Sequence, residues 1–301
     1  MNKRKFILVL FFSICILQNA PFFDESKAYN YLLKQCEFGT RYPGSKEHID
    51  FKNYLVDFLK DKGDTLIIDE HKISHPYIDK KIQLFNLFLR YNIESKNRIM
   101  LMAHWDTREI ADKDKDEKNH NHPIIGANDG ASGIALLMVI SEMLESFPLH
   151  NIGVDLLFVD GEDMGRSGDL ENFSLGTKAF SKSLTYPYPK LAICLDMVAD
   201  IDAEFKMEYF SLIQAENDLK EIWALANELG YKEFTYEIQS PVYDDHRALF
   251  VETGIPSIDI IDFDYPYWHT LEDTPDKCSA KTLGIVGNVV CEYLYRKDLN
   301  Y

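Results

Sequence analysis

The chain has 301 residues and is 46% hydrophobic, enough for one large core, and it carries a formal charge of −17. An acidic balance of that size excludes nucleic acid and anionic membrane surfaces as natural partners. No repeat, low-complexity stretch or linker interrupts the sequence, so residues 21–301 read as one domain.

Residues 1–20 open with Lys3, Arg4 and Lys5, and the apolar run Phe6 to Leu17 follows. A basic head on a run too short to span a bilayer reads as a secretory signal, so export to the periplasm or beyond is expected, with no transmembrane span. Ala20 suits a cleavage site but Pro21 does not, which leaves the processing point, and anchoring through the N-terminus, open. Helical spacing covers Asp24 to Cys36 and Ser45 to Lys62, with Ser45 as a candidate cap. Thr65 to His71, Lys81 to Tyr91 and Arg98 to Ala103 read as strands. Arg108 to His122 is dense in Asp and Lys and is expected to be a solvated loop, with His120 and His122 as surface histidines.

Ala131 to Glu145 is a strong helix with Leu136, Leu137, Ile140, Met143 and Leu144 facing inward. Val154 to Val159 is an apolar strand, Met164 to Leu175 a mostly polar loop, and Thr177 to Ser183 a helix. Leu191 to Met197 is a buried strand. Helices are expected at Asn217 to Leu229 and Ala248 to Glu252, a last inner strand at Ser257 to Ile261, and a closing helix at Ser279 to Tyr295. Strands alternating with helices predict an α/β fold: a central mixed, mostly parallel β-sheet covered by helices on both faces. Cys36, Cys194, Cys278 and Cys291 show no paired spacing and are expected to be free thiols.

The chemistry gathers where these elements end. Asp129 stands where a strand-to-helix loop meets a helix, Asp163 follows a strand, and His269 lies in the aromatic run near the C-terminus. Open α/β sheets place their sites at the carboxyl ends of strands. Helix capping would account for Asp129 alone, and core packing for His269 alone. Two carboxylates and an imidazole with an open fourth position form a catalytic zinc set, so Asp129, Asp163 and His269 are the expected ligands. Glu162, next to Asp163 and pointing the other way, is expected to reach the reacting group as general acid/base.

His104-x-Asp106, Gly126-Ala-Asn-Asp129-Gly-Ala-Ser-Gly133, Asp160-Gly-Glu162-Asp163, Leu195-Asp196-Met197, Asp244-Asp245-His246 and Trp268-His269-Thr270 together resemble the motifs of glutaminyl-peptide cyclotransferases. Those enzymes lie within the M28 zinc aminopeptidase superfamily, and the resemblance covers roughly Ala28 to Tyr295. It implies a zinc-aminopeptidase-like fold, one zinc per chain, and peptides or proteins with an N-terminal glutamine as substrate. It also implies that Asp196 and Asp245 join Glu162 in an acidic catalytic network and that Asp245 and Trp268 border the substrate, Trp268 as a pocket wall. His104 and Asp196 match the residues that complete a second metal position in the two-zinc aminopeptidases, which are the alternative function. Two features depart from the animal enzymes: Met164 to Leu175 lacks a Trp, and Asp163 replaces a common Glu. A monomer is expected.

Overall fold

The computed structural model describes residues 20–300, so all but the last residue of the signal-like segment lies outside it. Its strands are β1 (Thr65–Ser74), β2 (Lys81–Tyr91), β3 (Arg98–His104), β4 (Gly153–Val159), β5 (Leu191–Asp196), β6 (Phe205–Glu208), β7 (Phe234–Gln239) and β8 (Ser257–Ile261). Six of them form one sheet in the order β1-β2-β4-β3-β5-β8. β1 and β2 run antiparallel to their neighbours, whereas β3, β4, β5 and β8 are mutually parallel. The carboxyl ends of those four strands therefore share one edge, and the chemistry collects there.

The helices are α1 (Glu25–Glu37), α2 (Lys46–Leu59), α3 (Ala131–Ser146), α4 (Leu175–Ser183), α5 (Tyr209–Glu228), α6 (Asp245–Thr253) and α7 (Ala280–Leu299). Side chains alternate across a strand, so each inner strand supplies both faces of the sheet. Leu101, Leu156 and Ile193 join the core under α1, α2, α3 and α7. Met102, Leu157 and Cys194 pack on the other face against Phe180 of α4 and Leu249 of α6. The α/β fold with a mixed sheet covered on both faces is thus present. Asp24 and Ser45 cap α1 and α2 by accepting from Lys27 N and His48 N.

Several expectations need correction. β6 and β7 form a separate two-stranded parallel sheet that has no counterpart in the sequence reading; both are short, and β7 is largely exposed on its middle residues. α5 starts at Tyr209 rather than Asn217, with a non-helical break at Ala215 that disguises its first turns. α6 begins at Asp245 instead of Ala248. α3 is buried nearly all round, wider than the inward stripe expected, because it lies between the sheet, α1 and α7. The loop after β3 is solvated only in part: Arg108 and Ala111 are buried, because Arg108 turns back into the site. The four cysteines among the described residues are free, three of them buried and Cys36 half-buried. Among the described residues no helix is long and apolar enough to cross a membrane.

Candidate metal centre and acidic cavity

Two buried aspartates set the loops that carry the candidate ligands. Asp106 accepts from the backbone of Glu162 (3.1 Å) and Asp163 (3.2 Å). Asp273 accepts from Asn128 N (2.9 Å) and Asp129 N (3.1 Å), and Tyr265 donates its hydroxyl to the same carboxylate. Each carboxylate thus satisfies two consecutive N–H groups that secondary structure leaves unpaired. Arg41, fully buried, donates to the carbonyls of Ile125 and Gly126 and fixes the start of the second loop. Gly130, at φ +100°, turns the chain into α3 where an added Cβ would stand 2.7 Å from the carbonyl of Asp106. Gly130, not Asp129, is the N-cap residue of α3, so the capping account of Asp129 fails.

The side chains that these loops hold converge. His269 Nε2 lies 3.5 Å from Asp129 Oδ2 and 3.3 Å from Asp163 Oδ1. Asp129, Asp163 and His269 form one buried group able to hold a metal ion; His104, Asp129 and Asp196 form a second, with Asp129 common to both. Asp129 Oδ2 and Asp163 Oδ2 are buried without any hydrogen-bond partner. Buried anionic oxygens left unpaired are costly, so a divalent cation fits this donor set. In the second group His104 Nε2 stands 3.2 Å from both Asp129 Oδ1 and Asp196 Oδ1.

The surroundings set the proton affinities. Burial lowers that of His269, but Asp163 and Asp112 together outweigh it and hold the imidazole above its ordinary value. Burial likewise opposes protonation of His104, yet Asp106, Asp129 and Asp196 raise it well above the usual range. Asp163 is held low because Arg108 and His269 overcome the effect of burial. Asp196 is pushed up to about 7 by burial, against the pull of His104, with Asp129 and Asp244 adding to the rise. Glu162 is raised well above the ordinary carboxylate range by burial first, then by Asp244 and Asp163.

Asp129, Glu162, Asp196, Trp268 and His269 all border one cavity of about 250 Å³. Glu162 faces this cavity whereas Asp163 does not line it, the divergence expected of neighbours on an extended chain. Trp268 is half-buried, packs against Phe263 with ring centroids 5.0 Å apart and against the cluster of Met197, Val242, Ile261 and Tyr265, and borders the cavity. Leu170 and Phe173, from the loop that lacks a Trp, line the same cavity, as does Tyr243.

Asp245 is fully buried and is not among the residues lining the cavity; Asp244 is. The order follows from helix geometry. Asp244 is the N-cap of α6, its extended backbone holding the carboxylate at the cavity, and it accepts from Asp245 N and from the Cys194 thiol. Two adjacent aspartates in sequence give no sign of which caps the helix. Cys194, Asp244 and Asp259 also form a buried group, in which burial and Asp244 raise the Cys194 thiol well above its usual value and favour its neutral form. Arg108 and Asp112 are a second addition: Arg108 pairs with Asp163 and Asp112, and no sequence signal distinguishes Asp112 from the other acids of its loop. His120 bonds the carbonyl of Asp114, His122 is exposed, and neither enters a metal group among the described residues.

Comparisons with known proteins bear on the family and the fold. No curated protein matches the chain. Among solved structures, a Bacteroides thetaiotaomicron glutaminyl cyclase bound to N-acetylhistamine is 36% identical, with 92% of this chain and 99% of that chain aligned at a TM-score of 0.88. A Porphyromonas gingivalis glutaminyl cyclase is 32% identical over 92% of this chain and 100% of that one, also at 0.88. A Zn-dependent exopeptidase from Parabacteroides distasonis is 32% identical over 92% and 99%, again at 0.88. The model of peptidase family M28 matches residues 86–294. With that match across more than half its length, the chain belongs to peptidase family M28.

Proposed function

We propose that this protein is a zinc-dependent glutaminyl cyclase, converting the N-terminal glutamine of peptides or proteins to pyroglutamate with release of ammonia. The observation that carries the reading is Glu162: a buried carboxylate of raised proton affinity, facing a cavity beside a three-ligand metal group. Its support from relatives is that solved neighbours sharing 32–36% identity include glutaminyl cyclases.

In this reading one zinc is held by Asp129, Asp163 and His269, and when bound it supplies Lewis acidity toward the side-chain amide oxygen. The substrate's α-amine attacks its own side-chain carbonyl carbon, so the C–N bond of the ring forms as the bond to the departing nitrogen breaks. No protein nucleophile is required, and orientation within the cavity replaces a bimolecular encounter. Glu162 takes a proton from the attacking amine and returns it to the leaving ammonia. Its raised affinity favours holding the proton until the departing nitrogen takes it. Asp244 and Asp196 line the cavity with Glu162 as its acidic network, and Asp245 supports the network from within the protein. Trp268, Phe173 and Tyr243 form the apolar wall for the glutamine side chain and the residue after it. A monomer is the working unit of this reading, and the basic head with its apolar run supports export.

A two-metal aminopeptidase is the second reading, favoured by the group His104, Asp129 and Asp196. Incubating the zinc-loaded protein with a Gln-initiated peptide and reading the product mass separates them: loss of ammonia marks cyclisation, loss of a residue marks hydrolysis. Glu162→Gln keeps the shape but cannot carry a proton, and it should lose roughly 10²–10⁴-fold in cyclisation rate while retaining zinc. A wild-type rate, or loss of zinc, would refute the role given to Glu162.

A further inference from the structure

We propose that Arg108 and Asp112 are positioning residues for the metal centre, a clasp from the loop after β3 that orients Asp163 and His269 from outside. The inference rests on the ligand assignment proposed above and deepens it.

The Arg108 side chain is buried, and its guanidinium joins two carboxylates. Nε and Nη2 donate to the two oxygens of Asp112 at 2.8 and 2.9 Å. Nη1 donates to Asp163 Oδ1 and to the Asp163 carbonyl at 2.5 and 3.3 Å. A planar fork that grips side chain and main chain of one residue fixes its rotation, which a point charge on a flexible stem does not. Asp163 Oδ2 is the oxygen left without a partner, buried and available to a cation.

Asp112 reaches the second ligand. Its Oδ1 lies 3.5 Å from His269 Nδ1, a poised rather than a formed hydrogen bond, while Nε2 of the same ring faces Asp129 and Asp163. A carboxylate at Nδ1 favours the proton on that nitrogen and leaves Nε2 as the ligand atom. The backbone joins the same two segments: Lys113 N donates to the carbonyl of His269, and Leu271 N donates to Asp114 Oδ2. His269 has φ +56°, a conformation uncommon for a residue with a Cβ and one that needs such support. Asp112 also balances the Arg108 charge, so the guanidinium does not cancel Asp163 alone. Arg108, Asp112, His269 and Asp163 thus close a ring of contacts around one side of the site. An i,i+4 ion pair that only stabilised the loop would need neither link to the ligands.

The test uses the whole exported chain, stripped of metal and titrated with zinc against a chromophoric chelator, with melting temperatures taken before and after loading. Asp112→Ala should raise the zinc Kd about 10–100-fold and speed zinc loss to EDTA by a similar factor. Its metal-free melting temperature should fall, since the buried Arg108 guanidinium loses a bidentate partner, so the Kd is read on the folded fraction. Asp112→Asn, which keeps an acceptor oxygen for His269 Nδ1, should recover most of the affinity. Wild-type zinc binding with an unchanged Kd in Asp112→Ala overturns the clasp alone. A lower metal-free melting temperature with unchanged Kd of the folded fraction overturns it too, as a purely structural pair. Wild-type protein that takes up no zinc overturns both the clasp and the ligand assignment.

Discussion

A single methyl group at Gly133 tests how closely α3 must lie on the sheet for the site to form. A Cβ there would stand 2.0 Å from the carbonyl oxygen of Leu195 and 2.8 Å from Ala103 Cβ. Ordinary contact begins near 3.4 Å, so Gly133→Ala demands about 1.4 Å of retreat between α3 and the ends of β5 and β3. The obstacle is sheet backbone, which cannot swing aside as a side chain would. Overpacking of this kind typically costs about 1–3 kcal/mol, which in a chain of this size lowers the melting temperature by roughly 2–5 °C. The functional loss should be larger. Asp129 is four residues upstream, its N–H anchored to Asp273, and Asp196 ends β5 on the other side of the contact. A misplacement of about 1 Å can cost around 10²-fold in rate, so kcat/KM should fall by about that factor and zinc affinity with it. Differential scanning fluorimetry, zinc titration and the Gln-peptide assay on one preparation give all three quantities. A variant with wild-type melting temperature and zinc affinity would refute the claim that the close approach at Gly133 sets the site.

Trp268→Ala should reduce kcat/KM for Gln-peptides roughly 10²-fold, because a cavity wall contributes to positioning. Its loss of stability should fall short of the ~3–5 kcal/mol of a core Trp, since the ring is half-buried; a large drop in melting temperature with unchanged kinetics of the folded fraction would reverse the assignment. Glu208, the cap of α5, is fully buried and accepts from Phe210 N, Ser211 N, Val242 N and the Ser211 hydroxyl, with His246 3.1 Å away. Burial raises its proton affinity, but these partners, His246 foremost, bring it down to about 2. A folded pKa below the unfolded value of 4.5 means stability that is fully present above about pH 4.5 and lost as pH falls toward 2. Wild type should therefore exceed Glu208→Gln by about 3 kcal/mol near pH 6, with the gap closing between pH 4.5 and 2; a constant gap in urea melts across that range would contradict the coupling.

Local signals carried the sequence reading furthest where one period or one cap decides the outcome. The inner strands, α1, α2 and α7 were legible because apolar spacing and caps such as Ser45 act within a few residues. β6 and β7 were not, since four and six residues with mixed exposure carry too little periodicity. The start of α5 was hidden by the break at Ala215. In the site, Asp129, Glu162, Asp163 and His269 were visible as acids and an imidazole at element ends.

The division between chain and fold is one of range. Residue types at strand ends determine that acids and an imidazole with the donors for a metal ion gather at one edge of the sheet, because those positions follow from local periodicity. Which of two adjacent aspartates faces the cavity depends on where α6 begins, and that is fixed by packing of α6 against α4 and β8. That Arg108 turns inward depends on Asp163, 55 residues away, being offered as a buried charge to neutralise. Buried charge must find its counter-charge across the sequence, and only the closed tertiary structure supplies that pairing.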